Sequence, residues 1–135
     1  MTPASILVVE DDGIIALRSH ELLTTSGYAV PGMFATGEEL LEYLSSAGPP
    51  DLNLMDIGLI GGMDGIETAR RVRERYAVPI IFVTSYSDDR RKILAQTVSP
   101  EGYIIKPVVE RDLLVRIGAA LHGRRTPAAA GPWLN

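Results

Sequence analysis

The sequence predicts an α/β fold, in which one doubly wound parallel sheet is covered by helices on both faces. Short apolar runs alternate with amphipathic stretches, five of each, along most of the 135 residues. Strands separated by helices form βαβ units, and such units build parallel sheets with right-handed crossovers. The length and the hydrophobic content of 46% suit one domain with a normal core. We expect this domain to cover residues 5–122.

The apolar runs are the predicted strands. Continuous runs of β-branched and other apolar residues are typical of strands that are buried on both faces of a sheet. The fourth run begins with Pro79, which a strand tolerates at its first residue. The five predicted strands cover residues 6–9, 28–30, 52–55, 79–83 and 103–105.

The stretches between these runs are the predicted helices. Thr36 and Glu39 have the spacing of a capping box at the start of the second helix, and Asp64 is the predicted N-cap of the third. Gly27 favours an end to the first helix. The five helices are expected at residues 13–26, from 37 to before Gly48, from 65 to about 76, from Ser87 or Asp88 to about 98, and at 110–122.

Composition and charge narrow the class of protein. The net charge of −4 argues against a general nucleic-acid binder, which needs a basic face. The lack of cysteine excludes a disulfide framework and a thiolate zinc site. No apolar stretch approaches the roughly 20 residues that span a bilayer, and the N-terminus has no signal-peptide pattern. We therefore expect a soluble cytoplasmic protein that contacts neither nucleic acid nor membrane directly.

Residues 123–135 are rich in proline, alanine and glycine and have no apolar period. This composition is typical of a linker or a loose tail. Trp133 lies in this segment, and the sequence assigns no role to it.

Polar residues follow four of the predicted strands, at the point where each strand ends. In doubly wound sheets, ligands bind outside the carboxyl ends of the strands. We therefore expect these residues to surround one site. They are Glu10, Asp11 and Asp12 after the first strand, Asp56 after the third, Thr84 and Ser85 after the fourth, and Lys106 after the fifth.

These residue types suit a metal ion and a phosphoryl group. Carboxylates crowded together repel one another unless they bind a proton or a cation. A set of oxygen ligands without histidine or cysteine favours a hard ion, most plausibly Mg²⁺. Lys106 can offset the charge of a phosphoryl group, and the Thr84 hydroxyl can donate to one of its oxygens. An aspartate such as Asp56 can itself be the nucleophile and form an acyl phosphate.

Each residue alone also has an ordinary explanation. Acidic residues after a strand often favour the N-terminus of the next helix. Asp56 alone could be a loop carboxylate or a helix cap, Thr84 a satisfied strand-end hydroxyl, and Lys106 a solvated lysine. The prediction of a site depends on all four groups falling at strand ends in one topology.

The motifs resemble those of a response-regulator receiver domain, the phosphorylation module of two-component signalling. The resemblance covers about residues 5–122 and depends on five stretches in the order and spacing of that family. The resemblance implies a five-stranded parallel sheet with five helices and the flavodoxin-like strand order 2-1-3-4-5. The five stretches are residues 6–11, 51–57, 63–67, 79–85 and 102–107.

The resemblance implies roles for the residues around the expected site. Asp56 would be the phosphoacceptor and one of the Mg²⁺ ligands. Asp11 would bind Mg²⁺ directly, Glu10 through water or an equivalent contact, and Gly58 through its backbone carbonyl. Lys106 would contact a phosphoryl oxygen.

The resemblance also implies a switch. Thr84 would hydrogen-bond the phosphoryl group once it has formed, and Tyr103 would then swing inward. The peptide bond between Lys106 and Pro107 would be cis, which proline alone makes accessible. The output surface would consist of the fourth helix, the fifth strand and the fifth helix.

The segment from Asp56 to Met63 departs from the family pattern. It is one residue longer than the commonest form, and Gly61-Gly62 stands where a proline-containing turn is usual. Gly58 places no side chain near the phosphate, whereas the bulky Tyr86 would shield it. The resemblance therefore does not predict the lifetime of the phosphate.

The predicted function is a signalling switch rather than an enzyme, one that at most assists its own phosphorylation and dephosphorylation. Its partner would be a histidine kinase or phosphotransfer protein, and a homodimer is a further possibility. Ile14, Ile15 and Leu17 of the first helix could contact the donor, although most of them are expected in the core. One alternative is a phosphatase with an aspartyl nucleophile, but Gly58 stands where such enzymes carry a second aspartate. The other is a module that binds a flavin or nucleotide, for which no glycine-rich phosphate motif occurs.

Overall fold

A computed structural model of the chain describes residues 2–85 and 89–125, without the side chains of 89–91 and 123–125. Strands and helices alternate along this part of the chain. The strands are β1 (Ile6–Val9), β2 (Met33–Phe34), β3 (Leu52–Asp56), β4 (Ile80–Thr84) and β5 (Gly102–Ile105). The helices are α1 (Gly13–Thr25), α2 (Gly37–Ala47), α3 (Gly65–Arg73), α4 (Asp89–Gln96) and α5 (Glu110–Arg125).

The strands form a parallel sheet in the order β2-β1-β3-β4-β5. This is the order that the resemblance implies. Val9 of β1 pairs with Met55 of β3, and Asp56 pairs with Val83 of β4. Because all strands run in the same direction, the residues that follow β1, β3, β4 and β5 emerge along one edge of the sheet.

Two hydrophobic clusters lie on opposite faces of the sheet. Successive strand residues alternate between them, so that Met55 and Phe82 face α2, α3 and α4, whereas Leu54 and Ile81 face α1 and α5. Burying each such large apolar side chain contributes about 1.5–3 kcal/mol. Among the described helices, none has the length and apolar character that a membrane span requires.

Three helices begin as the sequence predicts or allows. Asp12 caps α1, accepting hydrogen bonds from the next helical amides, and Asp64 caps α3 by accepting from the amide of Glu67. Thr36 accepts from the amide of Glu39 at 3.2 Å, as a capping box requires. The predicted cap of α4, Ser87 or Asp88, lies outside the described residues.

The second strand was predicted in the wrong place. The sequence suggests residues 28–30, but there Ala29 forms only an isolated bridge to Ser5, and β2 is Met33–Phe34. The chain runs beside β1 throughout, since the amides of Ile6 and Glu10 donate to the carbonyls of Ala29 and Phe34. Proline and glycine at 31–32, which usually end a strand, conceal this continuation.

The apolar face of α1 was also predicted incorrectly. Ala16 and Leu23, two turns apart, are buried against the sheet, whereas Ile14 and Leu17 are 69% and 62% exposed. Helical spacing alone leaves the rotation of the helix undetermined, and the packing of Ala16 and Leu23 fixes it.

Two helix ends also differ from the prediction. The third helix ends at Arg73 rather than near Tyr76, and α5 continues to Arg125 rather than ending at His122. Helix ends are the least certain part of a prediction from sequence pattern.

Candidate functional site

The predicted site residues meet in one open cleft of about 460 Å³ at the carboxyl edge of the sheet. The cleft lies where the strand order reverses around β1 and β3, the place at which doubly wound sheets bind ligands. Its walls come from four different strand ends and the start of α1. The lining residues are Glu10, Asp11, Asp12, Ile15, Asp56, Gly58, Thr84, Ser85 and Lys106.

Asp56 ends β3 and is 6% exposed. Its Oδ1 accepts a hydrogen bond from the amide of Gly58 at 3.0 Å, and its Oδ2 lies 3.4 Å from Nζ of Lys106. The backbone beside it is closely packed, because a Cβ at Gly65 would lie 2.1 Å from the Asp56 carbonyl oxygen. The strand, the loop and the start of α3 therefore hold this carboxylate in one position.

Lys106 bridges two carboxylates. Its Nζ lies 2.9 Å from Oε1 of Glu10 as well as 3.4 Å from Oδ2 of Asp56. Burial alone would lower the pKa of Lys106, but its interactions with Glu10 and Asp56 outweigh burial and raise that pKa. The lysine is therefore positively charged at neutral pH, as the binding of a phosphoryl oxygen requires.

Among the described carboxylates that line the cleft, Glu10 has a pKa that departs from its ordinary value. Burial raises the pKa of Glu10 to about 7, the charge of Asp56 adds to this effect, and Lys106 and the amide of Asp12 oppose it. The amide of Asp12 donates to Oε2 of Glu10 at 3.1 Å.

Glu10, Asp11 and Asp56 can each offer one carboxylate oxygen, and these oxygens all lie within 4.8 Å of one another. Carboxylates this close repel one another, and a cation between them removes the repulsion. An all-oxygen set fits a hard ion such as Mg²⁺ and does not favour a soft one. Asp12 lies outside the group, since its side chain caps α1.

Thr84, Pro107 and Tyr103 are the predicted switch residues. Thr84 is buried at the end of β4, lines the cleft, and its carbonyl accepts from the amide of Lys106 at 2.7 Å. The Lys106–Pro107 peptide bond is cis, as predicted. Tyr103 is partly buried, and its hydroxyl donates to the Lys92 carbonyl of α4 at 3.1 Å. Burial raises the pKa of the Tyr103 hydroxyl.

Two features near the site were not predicted. Ile15, which the sequence did not assign to the site, lines the cleft. The loop after Asp56 is also bound to α2, because the amide of Gly62 donates to Oε2 of Glu38 at 3.0 Å. The unusual Gly61-Gly62 pair was the only signal of this contact in the sequence. Tyr86, predicted to shield the phosphate, lies outside the described residues.

Comparison with known proteins identifies the family. Residues 6–118 match the family model described as "Response regulator receiver domain". The transcriptional regulatory protein AfsQ1 of Streptomyces coelicolor is 36% identical over 117 residues, which are 87% of this chain and 51% of that protein. The transcriptional regulatory protein TorR of the torCAD operon in Escherichia coli O157:H7 is 36% identical over 85% of this chain and 49% of its own length. The chain thus spans about half the length of these relatives.

Solved structures agree with this assignment. The signal receiver domain of a modulated diguanylate cyclase from Desulfovibrio desulfuricans is 37% identical with a TM-score of 0.85, over 91% of this chain and 97% of that one. A CheY-like response regulator receiver domain protein from Methanospirillum hungatei is 30% identical with a TM-score of 0.83, over 92% and 98% of the two chains. The chain therefore belongs to the response regulator receiver domain family, the phosphorylation-dependent switches of two-component signalling.

Proposed function

We propose that Asp56 accepts a phosphoryl group from a histidine kinase or a phosphotransfer protein. The observation that carries this proposal is the position of its carboxylate, which lies 3.4 Å from Lys106 and shares an oxygen cluster with Glu10 and Asp11. A nucleophile needs a nearby positive charge to accept a phosphoryl group that brings further negative charge. Asp56 is the member of the cluster that contacts both Lys106 and the loop amide of Gly58.

The phosphoryl transfer is a displacement at phosphorus. A carboxylate oxygen of Asp56 forms a bond to the phosphorus of a phosphohistidine, and the phosphorus–nitrogen bond of the donor breaks. The histidine nitrogen keeps the electron pair, and the product is an acyl phosphate on Asp56. Lys106 contacts a phosphoryl oxygen, and the Thr84 hydroxyl donates to another.

Receiver domains typically use Mg²⁺ at an acidic pocket, and we propose the same for this chain. Asp11 and Asp56 would bind the ion directly, Glu10 through water or an equivalent contact, and Gly58 through its backbone carbonyl. When bound, the ion offsets the charge of the carboxylates and of the phosphoryl oxygens. Its ligand set would be all oxygen, as Mg²⁺ prefers.

The output of the switch is proposed to be the surface formed by α4, β5 and α5. Thr84 at the site and Tyr103 on this surface lie on neighbouring strands that pair in register. Movement of Thr84 towards a phosphoryl group would free space into which Tyr103 can turn. The presence or absence of the hydrogen bond from Tyr103 to the Lys92 carbonyl would then distinguish the two states of α4. Pro107, which follows Lys106 in the sequence, is proposed as part of the same switch.

The exposed part of α1 supports a docking role for this helix. Ile14 and Leu17 are exposed beside the cleft that Ile15 lines. Exposed apolar side chains next to a phosphorylation site suit a partner that brings its histidine to the cleft. We propose that the donor contacts these side chains.

The extent of the domain, its location and its partners are also part of the proposal. The receiver domain is proposed to cover residues 5–122, although α5 continues to Arg125. The rest of the predicted tail or linker, residues 126–135, lies outside the described residues. The protein acts in the cytoplasm, contacts no nucleic acid or membrane itself, and can pair with a second copy through the α4, β5 and α5 surface. The receiver domain is proposed to act as a switch that at most assists its own phosphorylation and dephosphorylation. No comparison supports the phosphatase or the small-ligand alternative.

Incubation with Mg²⁺ and acetyl phosphate, followed by intact mass measurement, tests the proposal. We expect one phosphate adduct on the wild type and none on Asp56→Asn. Chelation of Mg²⁺ should prevent labelling while circular dichroism shows a folded domain. An adduct that persists in Asp56→Asn, or its absence from the wild type at every Mg²⁺ concentration, would contradict the proposal.

A further inference from the structure

We infer that Glu38 of α2 is a positioning residue for the loop between β3 and α3, and through this loop for Mg²⁺ binding. The inference rests on the proposed function, because that loop carries Gly58. Glu38 lies 24 residues before Gly62 in sequence, yet its Oε2 accepts the Gly62 amide at 3.0 Å. Hydrogen bonds to a charged acceptor are stronger than neutral ones.

Hydrogen bonds fix both ends of the loop between β3 and α3. At its start the Gly58 amide donates to Asp56, and at its end the Gly65 amide donates to the Ile57 carbonyl at 2.8 Å. Between them, Leu59 is buried in the core and the next residue, at position 60, is 69% exposed. Leu59 anchors one side of this bend, and Glu38 is the polar anchor on the other side.

The two glycines of the loop fit this contact. Gly61 has a φ of +113°, a conformation that other residues rarely adopt, and a Cβ there would lie 3.3 Å from Oε1 of Glu38. A Cβ at Gly62 would lie 2.8 Å from Oε2 of Glu38. A side chain at either position would therefore displace the Glu38 carboxylate and disturb its contact with the loop.

The backbone around Glu38 is tightly constrained. The capping box of Thr36 and Glu39 fixes the first turn of α2 on either side of it. Gly37 packs directly on α3, since a Cβ there would lie 2.0 Å from Oγ1 of Thr68. Because its backbone is constrained in this way, Glu38 can hold the Gly62 amide at one position relative to α2 and α3.

Loss of the Glu38 contact should weaken the binding of Mg²⁺. Without the Glu38 contact the loop samples more conformations, and binding of the ion must then order the Gly58 carbonyl. A typical hydrogen bond is worth a factor of about two to ten in an equilibrium constant. Glu38→Ala should therefore raise the dissociation constant for Mg²⁺ by about two- to tenfold, and leave the labelling rate at saturating Mg²⁺ within about twofold of the wild type.

The test titrates each purified variant with Mg²⁺ alone and follows backbone amide shifts by NMR. Glu38→Gln keeps an oxygen acceptor but loses the charge, and should recover most of the affinity lost in Glu38→Ala. Glu42→Ala removes an equal exposed charge one turn further along α2 and should bind Mg²⁺ like the wild type. The Gly62 amide proton should move furthest upfield in Glu38→Ala and should not move in Glu42→Ala.

A double variant tests the contact itself. Gly62→Ala should displace the Glu38 carboxylate and weaken Mg²⁺ binding, and adding it to Glu38→Ala should weaken binding no further. Equal Mg²⁺ affinity in wild type and Glu38→Ala would overturn the inference, as would equal losses in Glu38→Ala and Glu38→Gln, which would indicate a charge effect alone. These outcomes do not depend on phosphorylation, so failure of the wild type to accept phosphate would count only against the proposed function.

Discussion

Raising the pH should destabilise the Mg²⁺-free protein through Glu10. The pKa of this carboxyl is about 7 in the folded state, against an ordinary value of 4.5. Below 4.5 both states hold the proton, and between 4.5 and 7 only the folded state holds it. The contribution of Glu10 to stability is therefore fully present below the unfolded pKa and is lost as the pH rises through about 7.

The magnitude follows from the two pKa values. Their difference corresponds to at most about 3 kcal/mol in the free energy of unfolding. Glu10 lies at the wall of an open cleft and water screens part of the effect, so we expect a loss of about 2 kcal/mol. Saturating Mg²⁺ should reduce this loss, because the ion stabilises the ionised carboxylate.

Urea denaturation of wild type and Glu10→Gln at pH 5, 6, 7 and 8, with a chelator present, measures this contribution. Other groups also titrate, so the informative quantity is the difference between the two proteins. The wild type should lose more stability than Glu10→Gln across this range, by about 2 kcal/mol. Parallel pH profiles for the two proteins would refute the reasoning.

Three further substitutions test other parts of the account. Among the described residues, neither polar atom of the fully buried Asn53 amide has a hydrogen-bond partner. Asn53→Leu should therefore raise the free energy of unfolding by about 1–3 kcal/mol in urea denaturation. A loss of stability would show that the amide is satisfied. Gly65→Ala should lower the melting temperature, since its Cβ would lie 2.1 Å from the Asp56 carbonyl oxygen, and an unchanged transition would contradict the close packing. Lys106→Met should slow phosphate labelling about tenfold or more by mass measurement, and a wild-type rate would argue against its contact with the phosphoryl group.

The central part of the site could be predicted because strand ends are easy to locate in sequence. Runs of buried apolar residues place Asp56 at the end of a strand and Lys106 directly after another, and a parallel sheet brings such positions to one edge. The chemistry of carboxylates and a lysine at that edge then suggests an ion and a phosphoryl group. These conclusions need only the local pattern and the topology.

Other features depend on tertiary packing and could not be read from the pattern. The contact of Glu38 with Gly62 joins residues 24 apart and requires the packing of α2 on α3. The exposure of Ile14 and Leu17 depends on the rotation of α1, which spacing leaves open. The second strand was misplaced because the chain continues its pairing through Pro31, a residue that usually ends a strand.

The position of the phosphate tests the central claim most directly. After labelling with Mg²⁺ and acetyl phosphate, borohydride reduces an aspartyl phosphate to homoserine, which peptide mass spectrometry can locate in the sequence. The account predicts homoserine at position 56 and at no other acidic residue of the cleft. Reduction at Glu10 or Asp11, or a phosphate adduct that resists borohydride, would contradict it.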